Sequence, residues 1–147
     1  MGIGSALFET TGAGAATAKA LPNPCHLVAL SAIGNDFGDA TTPTAPFSSK
    51  VGKGAGETWT CSVVIGQNSL DFSVQSVKSP LSVAAPVQGQ ITKRETRFGS
   101  VGRLIYASDF TTLIFATNKY WMDAYYPAES TAQMLKFGSQ IYRALSK

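Results

Sequence analysis

The chain has little charge and few residues of the kinds that build reactive or metal-binding sites. Charged residues make up 14% of its 147 residues, against about 25% in an ordinary globular domain. The net charge is only +3, and the densest basic cluster, within residues 93–103, is interrupted by Glu95. A protein that binds phosphates concentrates its cations on one face. We therefore expect no nucleic acid as a partner.

Long apolar runs are also missing. No stretch of apolar residues reaches the length of about 18 that a membrane-spanning helix needs. Residues 1–20 have neither a basic start nor a sustained apolar segment, so they do not read as a signal peptide. The many Ser, Thr, Ala, Gly and Gln residues favour an extracytoplasmic location, periplasmic or secreted. If the protein is exported, we expect its leader to be absent from this chain.

The only histidine follows one of the two cysteines, in the sequence Cys25-His26. Adjacent residues on a helix point about 100° apart, so His26 is poorly placed to act as a base for the thiol, and no second histidine replaces it. A structural zinc site needs four nitrogen or sulfur ligands, more than two cysteines and one histidine supply. The acids Asp36 and Asp39 lack the ligand spacing of a calcium loop and are interpreted as part of a polar turn. The sequence thus predicts no catalytic residue, no metal and no cofactor.

The length fits one domain with a sizeable core. Residues 1–20, mostly Gly, Ala and Thr, predict a poorly ordered N-terminal segment, followed by a single domain over 21–147. Asn23 and Pro24 are typical of a helix start, and Gly34 of a helix end. They predict a short helix over about 24–33. The stretch 34–57 predicts a long loop.

Alternation with a period of two then predicts strands. Residues 58–65 and 70–77 alternate on either side of a turn at 66–69, which predicts a hairpin. Residues 90–96 are a candidate edge strand, and three runs after residue 101 predict an antiparallel meander. Apolar residues spaced three and four apart after Pro127 predict a C-terminal helix. The expected fold class is α+β: a single antiparallel sheet with a short N-terminal helix and a C-terminal helix packed on it.

The two cysteines are predicted to lie at the edge of the core. Cys61 shares a strand face with Val63 and Ile65 and therefore points inward. A Cys25–Cys61 bridge would stabilise the fold by roughly 4 kcal/mol through loop closure. We predict this disulfide, with two free buried thiols as the alternative. A disulfide would imply an oxidising compartment.

An aromatic strand is the main candidate for a binding site. Its candidate residues for a ligand or a partner are Tyr120, Trp121, Asp123, Tyr125 and Tyr126. Alternation places Trp121 and Tyr125 opposite Tyr120 and Tyr126, and two short helices cannot cover both faces, so part of one face is expected to be exposed. Core packing is the alternative explanation. Asp123 is costly to bury unpaired, so it either meets solvent or lines a pocket.

The segments "PNPCHLVALSAIGNDFG" and "TWTCSVVIGQNSLDFSV" resemble a group of bacterial exported lipoproteins and secreted proteins of unassigned function. The residues that carry the resemblance are Pro24, Cys25, Leu27 and Cys61. It implies an α+β sandwich similar to the PsbP-like fold, a paired Cys25 and Cys61, and no catalytic residues.

The function that we expect is that of a non-enzymatic, exported binding or accessory domain. It would recognise a protein partner or a small apolar ligand through a sheet face. The alternatives are a structural subunit of a larger assembly and an enzyme with an unrecognised site near Asp123.

Overall fold

The structure, a computed structural model, describes residues 21–38, 47–52, 57–76 and 88–147. The N-terminal segment expected at 1–20 lies outside these ranges. The strands are β1 (Phe47–Val51), β2 (Thr58–Ile65), β3 (Asn68–Ser76), β4 (Ile91–Arg94), β5 (Arg103–Ala107), β6 (Phe110–Ala116) and β7 (Tyr120–Tyr126). The helices are α1 (Leu30–Asp36) and α2 (Thr131–Leu145), with 3₁₀ turns at Pro24–His26 and Thr96–Phe98. None of the helices in these ranges is long and apolar enough to cross a membrane.

The seven strands form one antiparallel sheet in the order β1-β2-β3-β7-β6-β5-β4. The hairpin β2–β3 turns at Gly66, whose φ of 64° suits a residue without a side chain. Strands β5, β6 and β7 are the meander, and β3 joins the hairpin to it by pairing with β7. The predicted fold class, one antiparallel sheet with a short N-terminal helix and a C-terminal helix packed on it, is confirmed.

The N-terminal helix differs from its predicted bounds of 24–33. Asn23 does cap a first turn, because its side chain accepts a hydrogen bond of 3.0 Å from the Cys25 backbone N–H. That turn is only Pro24–His26, and the extended backbone of Ala29 (ψ 145°) separates it from α1. Gly34 does not end the helix either: it is buried within α1.

Two strands lie where the sequence pattern is weakest. The predicted loop 34–57 contains the edge strand β1, all of whose residues are exposed, so no alternation of apolar and polar side chains marks it. The candidate edge strand at 90–96 is present as β4, at the opposite edge of the sheet.

Helix α2 covers one face of the sheet, called here the core face. Phe137 meets Phe72 of β3 edge-on, with ring centroids 4.9 Å apart, and Tyr142 meets Phe115 of β6 at 5.1 Å. Gly138 is buried opposite Leu113, and a Cβ atom there would run into that leucine side chain. The small residue thus lets α2 approach β6 closely.

The start of α2 is fixed by a buried threonine of β6. The Thr111 hydroxyl donates to the Ala128 carbonyl at 2.8 Å and accepts from the Ser130 backbone N–H, also at 2.8 Å. The Ala128 carbonyl and the Ser130 N–H, both in the connection between β7 and α2, are therefore paired by a side chain that is itself fully buried.

Helix α1 and the disulfide lie on the same core face. The rings of Phe37 and Tyr126 pack at a tilt with centroids 4.6 Å apart, and Gln140 of α2 donates a hydrogen bond of 3.0 Å to Asp36. Asp36 is not in a polar turn: it ends α1, only 8% exposed. Burial raises the pKa of its carboxyl, against the smaller opposing effects of Gln140 and Lys136.

A Cys25–Cys61 disulfide is present, with the two Cα atoms 5.2 Å apart. It ties the first 3₁₀ turn to the middle of β2, where Cys61 is fully buried. The prediction of this bridge is confirmed. The cysteine of the Cys25-His26 pair is therefore a covalent anchor for the N-terminal turn.

Candidate functional site

The second face of the sheet, called here the open face, is covered by no helix in the ranges that the structure describes. Strand β7 divides its residues between the two faces. Tyr126 is 7% exposed on the core face, whereas Tyr125 on the open face is 44% exposed. Tyr120 also packs against the core. Of the five candidate residues, the structure thus places Trp121, Asp123 and Tyr125 together on the open face, and Tyr120 and Tyr126 on the other.

Neighbouring strands extend this row of side chains. Their register places Trp121 beside Ala116, Asp123 beside Ile114, and Tyr125 beside Thr112, all on β6. On the other flank, β3 contributes Gln75, Ser73 and Asp71 next to the same three residues. Cross-strand partners lie about 4.5–5.5 Å apart and share a face, so one flank of β7 is largely apolar and the other is polar.

The apolar flank contains a second aromatic ring that the sequence did not single out. Phe110, at the start of β6, stacks on Tyr125 with ring centroids 6.2 Å apart and an interplanar angle of 13°. We call the set formed by Phe110, Ile114, Trp121 and Tyr125 the aromatic patch. Phe110 and Ile114 reach Trp121 and Tyr125 through the antiparallel pairing of β6 with β7, across the single turn at residues 117–119.

The indole N–H of Trp121 is buried and has no hydrogen-bond partner among the described residues. An unpaired buried donor is costly. The residue as a whole is only half-buried, so part of its ring reaches the surface of the open face. Tryptophan is enriched among the residues that dominate protein interfaces, and the exposed part of this ring makes Trp121 a candidate for direct contact with a bound molecule.

Asp123 lies at the centre of the row and has no ion pair within the described ranges. The residue as a whole is exposed, and partial desolvation by neighbouring groups raises the pKa of its carboxyl above the usual 3.8. The charges nearest to it in the row are those of Arg103 and Arg94, which the register places beyond Ile114. With strands about 4.8 Å apart, Arg103 stands two strand spacings away, and its guanidinium is turned to backbone carbonyls at the edge of the sheet instead of to Asp123.

The two arginines are held at the edge of the sheet by a backbone carbonyl. Arg103 donates to the Ser100 carbonyl at 3.3 Å and to that of Gly102 at 2.9 Å, and Arg94 donates to Ser100 at 3.4 Å. They give the β4 side of the open face a positive charge. The two acids lie nearer the middle of the sheet, Asp123 on β7 and Asp71 on the neighbouring β3. The open face is therefore polarised from its middle towards one edge.

The polar flank is already ordered by hydrogen bonds between side chains. Thr60 and Ser73 share a hydrogen bond of 2.7 Å between their hydroxyl groups, and Ser69 donates to Asp71 at 2.9 Å. Side chains that are fixed before binding lose less conformational entropy when a partner docks.

Concave sites lie elsewhere. Two adjoining clefts of 390 and 510 Å³ flank Tyr142 near the end of α2, one lined also by Gly99 and Lys119 and the other by Arg97 and Arg143. Neither cleft is lined by the residues of β7. The surface around Asp123 is thus a face of the sheet and not a pocket.

No group of three or more His, Cys, Asp or Glu side chains in the described part of the chain is placed to hold a metal ion. His26 is exposed at the end of the first 3₁₀ turn, and Cys25 beside it is committed to the disulfide.

Comparison of the chain with protein-family models, with curated proteins and with solved structures gives no match. The resemblance to exported lipoproteins stays an expectation.

Proposed function

We propose that this protein is a non-enzymatic domain that binds a protein partner through the aromatic patch on its open sheet face. The observation that carries the proposal is a contrast between the two halves of that face. The half formed by β2 and β3 carries mostly Thr, Ser, Asp and Gln, as expected where an antiparallel sheet meets water. The half formed by β6 and β7 carries Phe110, Ile114, Trp121 and Tyr125 instead.

These apolar side chains add little to the core, because the core lies on the opposite face. The patch surrounds one carboxylate, Asp123, and the Thr112 position beside Tyr125. Exposed apolar side chains grouped in this way among polar residues are typical of an interaction site. Trp and Tyr are enriched among the residues that dominate the binding energy of protein interfaces, and Arg is the third. An arginine is present as well: Arg103 lies at the rim of the patch, two strands from Asp123.

The shape of the surface favours a protein over a small apolar ligand. Small-molecule sites are concave and surround most of the ligand. Four clefts in the described part of the chain, two around Tyr142 and two between the α1 region and α2, are lined by no residue of the patch. An open sheet face without a cleft is better suited to the surface of another protein.

The raised pKa of Asp123 is the feature that would suit an enzyme, and it is better explained without catalysis. Desolvation by its neighbours accounts for the direction of the shift. A general acid must also reach the reacting atom within a site that positions the substrate, and Asp123 stands on an open surface. Asp71, its diagonal neighbour on β3, is held by Ser69.

We further propose an extracytoplasmic location, in the periplasm or outside the cell. Disulfides persist in oxidising compartments and are rare in the cytosol. The Cys25–Cys61 bridge joins a peripheral turn to the core.

A photo-crosslinking residue at position 125 tests the proposed function. In extracts of the source cells, it should form a discrete protein adduct that the same residue at the exposed position Lys136 of α2 does not form. Trp121→Ala should abolish the adduct. With the partner purified, Tyr125→Ala should weaken binding at least about tenfold, the lower range for a residue that dominates an interface.

Equal adducts from positions 125 and 136 would contradict the proposal, as would unchanged affinity in Tyr125→Ala. Native mass spectrometry distinguishes a protein partner from a small-molecule ligand. A small molecule retained by the wild type and lost in Trp121→Ala would show that the patch binds a ligand and not a protein.

A further inference from the structure

The two edges of the sheet differ in how they are protected from pairing with another strand. Natural proteins guard exposed edges with charged side chains, especially lysine. The β4 edge follows this rule, since Lys93 and Arg94 are two of its four residues. The β1 edge reads Phe-Ser-Ser-Lys-Val, and its two terminal residues are among the most exposed hydrophobic side chains described: Phe47 at 70% and Val51 at 64%.

The single charge on β1 does not guard its outer edge. The Lys50 ammonium lies 4.7 Å from the ring centroid of Trp59 and 3.8 Å from a carboxylate oxygen of Glu57. Both partners lie on or next to β2, the strand on the inner side of β1. Lys50 is thus drawn back over its own sheet, and among the five residues of β1 no charge is directed at an incoming strand.

The sequence of β1 complements itself when two copies run antiparallel. If Ser49 lies on a two-fold axis, all five residues pair: Phe47 faces Val51 of the second copy, Ser48 faces Lys50, and Ser49 faces Ser49. Directly opposed residues share a face of the sheet, so two apolar pairs form on the open face. Neither lysine faces another lysine, which avoids the repulsion between directly opposed like charges.

We propose that β1 is a self-association edge, at which a second copy of this chain adds antiparallel and joins the two seven-stranded sheets into one. The interface is isologous, as in most two-fold dimers. Because two five-residue strands bury less surface than a standard protein interface, the dimer is weak and depends on concentration. This proposal stands on a different surface from the aromatic patch and does not require it.

Substituting the residue on the proposed axis gives a direct test with the purified, full chain. Ser49→Lys opposes two ammonium groups across the axis and should weaken dimerisation at least about tenfold. Ser49→Asp should do the same. An equimolar mixture of the two variants should restore the dimer as a heterodimer, since opposite charges then face each other. Thr92→Lys, on the β4 edge, is the matched control and should leave the dimer unchanged.

Sedimentation velocity over a range of concentrations measures each outcome, and circular dichroism checks that every variant is folded. If Ser49→Lys does not fold, Phe47→Ser replaces it and should also weaken the dimer. A wild type that is monomeric at every concentration would overturn the proposal. A dimer that survives Ser49→Lys, or a mixture that does not reassociate, would place the contact on another surface. A monomer with β1 amides protected from hydrogen exchange would show that another segment of the chain covers the edge.

Discussion

Removing the disulfide should destabilise the protein by an amount that follows from the length of the loop it closes. Cys25 and Cys61 are 36 residues apart. Closing a loop of this length in the unfolded chain costs about 13 cal/mol/K of entropy, or about 4 kcal/mol at 25 °C. We therefore expect Cys25→Ala to lower the free energy of unfolding by about 4 kcal/mol.

Local packing contributes little to this value, because the substitution is made at the peripheral end of the bridge. Cys25 is half-buried, whereas Cys61 is fully buried and remains in Cys25→Ala as a small apolar side chain. The loss should thus reflect mainly the freed loop. For a domain of this size, about 4 kcal/mol corresponds to a fall in Tm of about 8–16 °C.

Urea denaturation followed by tryptophan fluorescence measures the change, with and without a reductant. The reductant should lower the stability of the wild type to that of Cys25→Ala and leave the variant unaffected. A loss below about 1 kcal/mol in Cys25→Ala would refute the loop-closure reasoning. Equal sensitivity of the variant to reductant would show that the bridge is not what the reductant breaks.

Two further substitutions test the polar groups, both by urea denaturation. Because burial raises the pKa of Asp123 above its value of 3.8 in the unfolded chain, the fold favours the protonated carboxyl. As the pH rises above 3.8 and the carboxyl ionises, this group should lower the stability of the wild type. Asp123→Asn should remove that part of the loss and leave the part due to Asp36, whose pKa burial also raises, with Asp109→Asn as the surface control. Thr111→Val leaves the Ser130 N–H without its acceptor and should cost about 1–3 kcal/mol, whereas Thr112→Val on the open face should change stability by less than about 0.5 kcal/mol.

The strands of the hairpin and meander are predictable because one of their faces is buried. In β2, Cys61, Val63 and Ile65 are buried, and the residues between them are more exposed. This difference in burial produces an alternation of apolar and polar residues with a period of two. Strand β1 has no buried face and carries no such signal. Its existence depends on pairing with β2, a contact that local sequence does not encode.

The predicted extent of the first helix, 24–33, was wrong for a related reason. Asn23 and Pro24 correctly indicate a helical turn, but a cap does not say how far the helix continues. The first turn ends at His26, the backbone is extended at Ala29, and α1 begins one residue later. Asp36 could not be placed either, because its hydrogen-bond partner Gln140 lies on α2, at the other end of the chain.

For the candidate site, alternation gave the division between the two faces of β7 but not the identity of the exposed one. Both faces of this strand carry aromatic residues, so hydrophobicity alone does not decide between them. The outcome depends on where α2 and the disulfide lie, and both are on the side of Tyr126. The charge of Asp123 was the only local indication, because a carboxylate is costly to bury without a partner.

The proposed dimer and the proposed binding patch are compatible in geometry. Joining two β1 edges keeps both open faces on the same side of one sheet and leaves each aromatic patch uncovered. From β7 of one copy to β7 of the other, the sheet order gives seven strand spacings, or about 34 Å along the sheet. Two patches at this separation would bind a repeating or dimeric partner with avidity. Ser49→Lys should then weaken binding to such a partner and leave the affinity of a single patch unchanged, whereas Tyr125→Ala should weaken both. If Ser49→Lys lowered the single-patch affinity as well, the edge and the patch would be parts of one interface.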